Sequence, residues 1–278
     1  MPAKAESPPC CGWRGPVEHR LVMLNIAIAG ANGRVGKLLV DAVGEADNLE
    51  LAGAMGRGDA PLPACDVLID FSSPEGFRHW LDQCVDQKVA FVSGTTGLAA
   101  GDFERLEKAS AVVPTLHATN TSLGVALLNR LAAEATTVLG QEFDIEIVES
   151  HHRHKKDAPS GTAATLLSAV LGARGSDDSA AVHGRRGMTP RTRGEVGVHS
   201  LRMGDVVGEH TVHFAGDGER VELTHRATSR ATFARGAIRA ARWIAGKPAG
   251  RYTMEDVLAD VLGLPSRGSQ ADKGAAIA

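Results

Sequence analysis

Residues 149–162 read ESHHRHKKDAPSGT, and positions 151–156 hold three histidines, one arginine and two lysines. Histidine gives or takes a proton near neutral pH. The fixed cations beside it concentrate positive potential at one point of the surface. Pro159 and Ser160 then open a helix, GTAATLLSAVLGA. The backbone amides of Gly161 and Thr162 point out of its N-terminus, where a carboxylate binds well. Side-chain cations next to helix amides fit a small substrate with more than one carboxylate. A solvated basic turn is the plainer alternative. A metal site is not expected. Neutral histidines can ligate zinc, but Arg153, Lys155 and Lys156 would repel a dication, and the histidines lack the i, i+4 spacing of a helical clasp.

A second chemical stretch is GANGRVG (30–36), placed where an apolar strand meets a helix. Gly30 permits a tight turn, Gly33 lets backbone approach a pyrophosphate, and Gly36 lets the helix pack close to the strand. Free N–H groups at the helix start, with Arg34 beside them, favour an anionic ligand. The spacing is GxxGxxG, so its force comes from the strand before it and the helix after it. About 20 residues downstream an acid would hold ribose hydroxyls. Here AMGRGD (54–59) has the uncharged Gly56, then Arg57, which suits a 2′-phosphate. NADPH is therefore the expected cofactor, with NADH possible. Gly94, Thr95 and Thr96 end another strand, and Ala118, Thr119, Asn120 and Thr121 end the next. Both lie on the edge where a nicotinamide would reach.

These residues must be held by elements. LNIAIAG, LELAGAM, DVLIDF, VAFVSG and VVPTLHATN read as strands, and segments starting at 31, 74 and 102 read as helices. Continuous apolar strands alternating with helices imply a parallel sheet covered on both faces. The expected fold class is α/β: a Rossmann-like doubly wound parallel sheet, plus a second α+β domain with an open mixed sheet. After Asn120 the pattern changes. LGVALLNRLAAEATTVL (123–139) is an apolar helix, and EFDIEIVES (142–150) alternates, with Phe143, Ile145 and Ile147 on one face. Segments 195–202, 205–215 and 219–227 also read as strands, with AGDGER as a hairpin link. The final helices, 230–245 and 253–262, have no sheet of their own and are expected to return to the first domain. The domain reading is a disordered extension over 1–22, a dinucleotide-binding domain over 23–122 and 231–264, a substrate-binding and oligomerisation domain over 123–230, and a disordered tail over 265–278.

With 278 residues, 43% hydrophobic, the chain can bury two cores. Its net charge of −3 and 4% aromatic content argue against a nucleic-acid partner. No apolar run approaches a membrane span, so no membrane partner is expected. Cys10, Cys11, Cys65 and Cys84 form no CxxC pair, which fits a reduced, cytoplasmic setting. Cys65 and Cys84 read as small buried apolar residues.

Taken together, ESHHRHKKDAPSGT and GANGRVG resemble the 4-hydroxy-tetrahydrodipicolinate reductase (dihydrodipicolinate reductase) family, whose members carry E-x-HHRHK-x-DAPSGT and GxxGRxG blocks. DFSSPEG, SGTTG, GDVVGEHTVHFAGDGERVELTHRATSR and YTMEDVL extend the resemblance over roughly 24–264. It implies an NAD(P)H-dependent oxidoreductase of lysine and diaminopimelate biosynthesis. His151 would be the general acid–base and Lys155 a second proton donor. His152, Gly161 and Thr162 would hold substrate carboxylates. Gly30, Ala31, Asn32, Gly33, Arg34 and Val35, with Gly94–Thr96 and Ala118–Thr121, would hold the nucleotide, and Arg57 would meet the adenosine phosphate. Gly56 stands where the family usually has an acid, which weakens the expectation of NADH use. The resemblance also implies a homotetramer joined through second-domain sheets, in keeping with an uncovered sheet face. Three rival readings remain at this point. A phosphorylating semialdehyde dehydrogenase lacks a well-placed cysteine. A nucleotide sensor would not need HHRHK. A nucleic-acid binder would need steep salt dependence.

Overall fold

Strands that are apolar on both faces have to be covered on both, and the centre of the first sheet is built that way. The structure, a computed structural model, describes residues 23–56 and 61–264. The expectations for 1–22, 265–278 and Arg57 lie outside the described residues. The chain runs β1 (Leu24–Ala29), α1 (Arg34–Gly44), β2 (Leu49–Met55), β3 (Val67–Asp70), α2 (Pro74–Gln87), β4 (Ala90–Ser93), α3 (Ala100–Ser110) and β5 (Pro114–His117). It continues with α4 (Leu123–Leu139), β6 (Asp144–His151), α5 (Gly161–Arg174), β7 (Ala181–His183), β8 (Val196–Arg202), β9 (Gly208–Gly216) and β10 (Glu219–Ala227). It ends with α6 (Ala231–Ile244), β11 (Gly250–Tyr252) and α7 (Met254–Val261).

Six strands form a parallel sheet in the order β11-β5-β4-β3-β1-β2. Ile26, Ile28, Val67, Ile69 and Val92 pack against α1, α6 and α7. Ala27, Ala29, Leu68 and Phe91 pack on the other side against Phe77, Trp80 and Leu81 of α2 and Leu106 of α3. The order reverses between β1 and β3, which opens a crevice at their carboxyl ends. The last helices do return to this layer: α6 lies against β3, β4 and β5, and α7 against α6 and α4. Cys84 is buried in this layer, but Cys65 is only half-buried, because it precedes β3 in a loop at the sheet's rim. The short β11 pairs with β5 at the sheet edge. Three residues carry no periodicity, so the sequence offers no sign of it.

The second sheet has five strands in the order β10-β9-β6-β8-β7 and is mixed: β9 and β10 form an antiparallel hairpin, while β6 and β7 run parallel to β8. β9 begins at Gly208 rather than near 205, because Gly204 at φ +50° turns the chain and its carbonyl accepts the Arg153 amide at 3.2 Å. One face of the sheet presents Ile145, Ile147, Val196, Val198, Val212 and Phe214 to α4 and α5. The opposite face is polar and, among the described residues, carries no helix, with Thr211, His213, Glu222 and Thr224 on it.

Candidate active site

The apolar face of β6 changes character at its carboxyl end. Side chains two apart share a face, so Glu149 and His151 follow Ile145 and Ile147 toward α5. Glu149 is fully buried and His151 nearly so. Glu149 is met by donors on all sides. His151 Nδ1 lies 2.5 Å from its Oε2, Arg202 Nη1 and Nη2 donate to its two oxygens at 2.9 and 2.8 Å, and the Ser160 amide donates at 3.2 Å. Burial alone would push the Glu149 carboxyl up. Hydrogen bonds from His151, Arg202 and Ser200 outweigh it and bring the carboxyl down to about 2.

His210 of β9 stands edge-on to His151, with ring centroids 5.2 Å apart. Its Nε2 is 3.1 Å from Ser160 Oγ, the same hydroxyl that caps α5 by accepting the Ala163 amide at 3.2 Å. With Ser160 as N-cap, the Gly161 and Thr162 amides are in the first turn and have no intrahelical acceptor. The rest of the cationic stretch is less uniform than its sequence. Lys155 Nζ pairs with Asp157 Oδ2 at 2.8 Å. His152 Nδ1 is buried without a partner among the described residues. Desolvation, and then the charges of Arg230 and Arg34, hold the His152 ring below the ordinary histidine range.

The nucleotide-loop residues lie at the other side of the same region. Gly30 adopts φ +77°, and a Cβ there would come 2.3 Å from the Phe71 carbonyl oxygen. A Cβ on Gly36 would sit 2.1 Å from the Gly30 carbonyl oxygen. The turn and the helix are thus folded on one another with no room between them. Gly33 is the N-cap of α1 and offers no side chain to cap it, so the first-turn amides beside Arg34 have no partner from that side chain. Ala31 donates its amide to the Met55 carbonyl at 3.0 Å, and a Cβ on Gly56 would lie 2.5 Å from Asn32 Nδ2. The end of β2 therefore adjoins the glycine turn, as a ribose-recognition segment requires. Val35 is half-buried behind the turn. A reduced nicotinamide nucleotide fits this cradle: open helix amides for the phosphates, and glycines where side chains would intrude.

Two further loops close the crevice. Asp70, fully buried at the end of β3, accepts hydrogen bonds from Ser93 Oγ and Thr95 Oγ1, both at 2.8 Å, and from the Ser72 amide at 3.1 Å. It ties together the loops after β3 and β4, including Gly94–Thr96. The Phe71 ring lies over Gly94, where a Cβ would come within 2.3 Å of it. The Ala118–Thr121 segment reaches the second layer. Asn120 Nδ2 donates to Thr162 Oγ1 at 3.0 Å, and Gly161 packs against Thr119, 3.1 Å from where its Cβ would be. The glycine turn, the two strand-end loops, the start of α5 and the histidine stretch are thereby one neighbourhood.

Sequence reasoning missed Glu149, Arg202, His210 and Asp70. Glu149 had one signal, its i, i+2 spacing to His151 on an alternating strand. Arg202 and His210 come from other strands, set by register. Among the described residues, no group of three or more His, Cys, Asp or Glu is gathered as a metal cluster. No helix among them is long and apolar enough to cross a membrane.

The closeness of Gly36 to the Gly30 carbonyl makes a direct prediction. Gly36→Ala forces backbone against a new methyl, a clash that typically costs about 1–3 kcal/mol and occasionally more. The expected result is a lower unfolding midpoint and a nucleotide Kd weakened at least about tenfold, the equivalent of roughly 1.4 kcal/mol. Denaturant titration and isothermal calorimetry with NADPH check it, and unchanged values in both would refute the close packing.

Comparison with known proteins bears directly on this site. Residues 24–121 match the family model described as dihydrodipicolinate reductase, N-terminus, and residues 124–258 match that described as its C-terminus. The chain is 47% identical over 261 residues to a 4-hydroxy-tetrahydrodipicolinate reductase of Alkalilimnicola ehrlichii, covering 84% of this chain and 98% of that one. It is 47% identical over 254 residues to the same-named protein of Sulfurimonas denitrificans, covering 85% and 99%. The fold is similar to that of a dipicolinate-bound dihydrodipicolinate reductase from Paenisporosarcina sp. TG-14, with a TM-score of 0.67 at 23% identity over 84% of this chain and 98% of that one. Both halves of the chain, and the sheets they build, lead to one conclusion: it belongs to the dihydrodipicolinate reductase family, whose members are pyridine-nucleotide-dependent oxidoreductases.

Proposed function

We propose that this chain reduces 4-hydroxy-tetrahydrodipicolinate to tetrahydrodipicolinate with NAD(P)H, with His151 as the general acid–base. Loss of water from the 4-hydroxy ring gives a cyclic conjugated imine with two carboxylates. A reduced nicotinamide, when bound, supplies the hydride to carbon 4 of that ring. One hydride and one proton complete the two-electron reduction, and His151 gives the proton. The Gly161 and Thr162 amides and His152 hold the carboxylates, and Lys155 is a second proton donor. The observation that carries the reading is the Asn120–Thr162 hydrogen bond at 3.0 Å, with Thr119 against Gly161. It joins the segment that reaches the nicotinamide to the helix start that takes the carboxylate, so the two reactants meet in fixed orientation.

Arg34 and the α1 amides take the pyrophosphate, and Arg57 takes the 2′-phosphate. With no acid at Gly56 to hold ribose hydroxyls, NADPH is the preferred cofactor. The helix-free polar face of the second sheet fits a homotetramer built by sheet-to-sheet contact, and a cytoplasmic setting suits the chemistry. Steady-state oxidation of NADPH and NADH in the presence of the substrate tests the reading. The expected result is turnover with both and a kcat/KM for NADPH higher by about tenfold, the share of one charge-assisted phosphate contact. Binding of NADPH without substrate-dependent oxidation would sink the reductase assignment, and a preference for NADH would sink the role given to Arg57.

A further inference from the structure

The acid–base role of His151 leaves open which ring nitrogen moves the proton and what fixes it. We infer that Glu149 is a positioning residue: clamped by Arg202 and the Ser160 amide, it holds the His151 ring with its proton on Nδ1, while Gly208 keeps Nε2 clear as the nitrogen that exchanges a proton with the substrate. This inference rests on the proposed acid–base role of His151.

Three observations carry it. First, the 2.5 Å contact between His151 Nδ1 and Glu149 Oε2 leaves an acceptor-only carboxylate facing that nitrogen. A neutral imidazole has one donor nitrogen, so a hydrogen bond to Glu149 places the proton on Nδ1 and the lone pair on Nε2. Second, Glu149 cannot swing away. Arg202 meets both its oxygens, the Ser160 amide meets Oε1, and Arg202 is itself tied to the Asp157 carbonyl at 2.6 Å. The strand register that sets His151 against Arg202 builds this clamp into the sheet. Third, Nε2 has no hydrogen-bond partner among the described residues, and a Cβ at position 208 would stand 3.0 Å from it. A side chain there would press on the nitrogen left open, and glycine presses on nothing. The other titratable groups around the ring are His210, edge-on from β9, and His152 and Lys155 on the loop that follows.

The test combines kinetics with nitrogen NMR on the full-length protein labelled in its histidines, with the His151 signals assigned by their loss in His151→Ala. In wild type at a pH where the ring is neutral, Nδ1 is expected to show the shift of a proton-bearing nitrogen and Nε2 that of a bare one. Glu149→Gln is expected to lower kcat about 10- to 100-fold with KM and NADPH Kd changed less than about threefold, and to mix the two tautomers. Arg202→Lys keeps the cation but loses the two-pronged hold, so it is expected to give the same tautomer change with a smaller fall in kcat. It serves as the test if the Gln variant does not fold. Gly208→Ala is expected to lower kcat while leaving the Nδ1 proton in place. The imidazolium carries a second proton on Nε2 and gives it up there, so a neutral wild-type ring with its one proton on Nε2 instead of Nδ1 overturns the inference. So does an inactive His151→Ala beside a Glu149→Gln enzyme of normal kcat. Normal turnover by His151→Ala instead removes the acid–base role itself, and the positioning role with it.

Discussion

His151→Ala is expected to lower kcat by about 10²- to 10⁴-fold, the usual worth of a positioned proton donor, while NADPH Kd stays within about twofold. The split follows from where the residues are. His151 ends β6 in the second sheet, whereas the glycine turn and the loops tied by Asp70 belong to the first. Deleting an imidazole at the end of β6 removes no group that lines the pyrophosphate cradle. It does remove the one ring in the cluster that, among the described residues, combines a buried carboxylate partner with a second nitrogen free of protein partners. His152 does not replace it, since desolvation, and then the charges of Arg230 and Arg34, hold that ring below the ordinary range. His210 does not either, because it is buried and bonded to Ser160. Lys155→Ala is expected to have a smaller effect, as its ammonium is already shared with Asp157. Paired steady-state kinetics and NADPH titrations read both numbers. If both variants turn over at the wild-type rate, the acid–base assignment is wrong.

How much of this could be read from the chain depends on how far each feature reaches. The parallel sheet was legible because DVLID and VAFVS are short apolar runs between helices with clear polar faces, a purely local property. ESHHRHKKDAPSGT was legible because its chemistry is dense and contiguous. The α2 start at 74 and the α4 boundaries, 123–139, coincide with the sequence reading because Pro74 and the periodic apolar residues mark them locally. What escaped was set by register or by close approach. Arg202 meets Glu149 across 53 residues, and His210 meets Ser160 across 50. Neither pair has any sequence mark beyond residue type. Asp70 read as a residue within the apolar strand DVLIDF, yet it anchors two cofactor-side loops. Gly208 read as one residue of the strand over 205–215, yet it borders the open nitrogen of His151.

These long-range pairs explain why a basic run of sequence does not behave as a basic patch. The strand end sets one cation, Arg202, and one imidazole, His151, directly on one carboxylate, with the His210 ring edge-on behind His151. Breaking a buried pair by removing one partner typically costs about 3–5 kcal/mol, so the network is a structural commitment as well as a chemical one. The same argument separates it from a solvated turn. Solvated charges do not bury a glutamate completely or set a desolvated histidine edge-on against a neighbouring ring.

That desolvated histidine gives the second large effect, a loss of stability in mild acid. Burial first, then the neighbouring His151, lowers the His210 ring from 6.5 to about 3. Between those two values the unfolded chain carries a proton that the native chain refuses. Since stability rises with pH wherever the unfolded state binds more protons, folding should be fully supported at pH 7 and weaken as pH falls from 6.5 toward 3. One such group is worth on the order of 4 kcal/mol across the whole window, at about 1.4 kcal/mol per pH unit. His117 and His225, also lowered by burial, act in the same direction. Glu149 joins only later, because its stabilising contacts are lost as pH drops from 4.5 through about 2. Burial raises the Asp70 carboxyl, which acts in the opposite direction, so His210 is isolated by the difference between wild type and a variant that leaves Asp70 in place. His210→Gln keeps a polar group for Ser160 but does not titrate. In urea titrations at pH 7, 6, 5.5 and 5, the variant should show a shallower fall in unfolding free energy than wild type, by close to one proton's slope. Parallel pH dependences in the two proteins would mean that His210 is protonated in the folded state, and the desolvated packing of its ring against His151 would have to be abandoned.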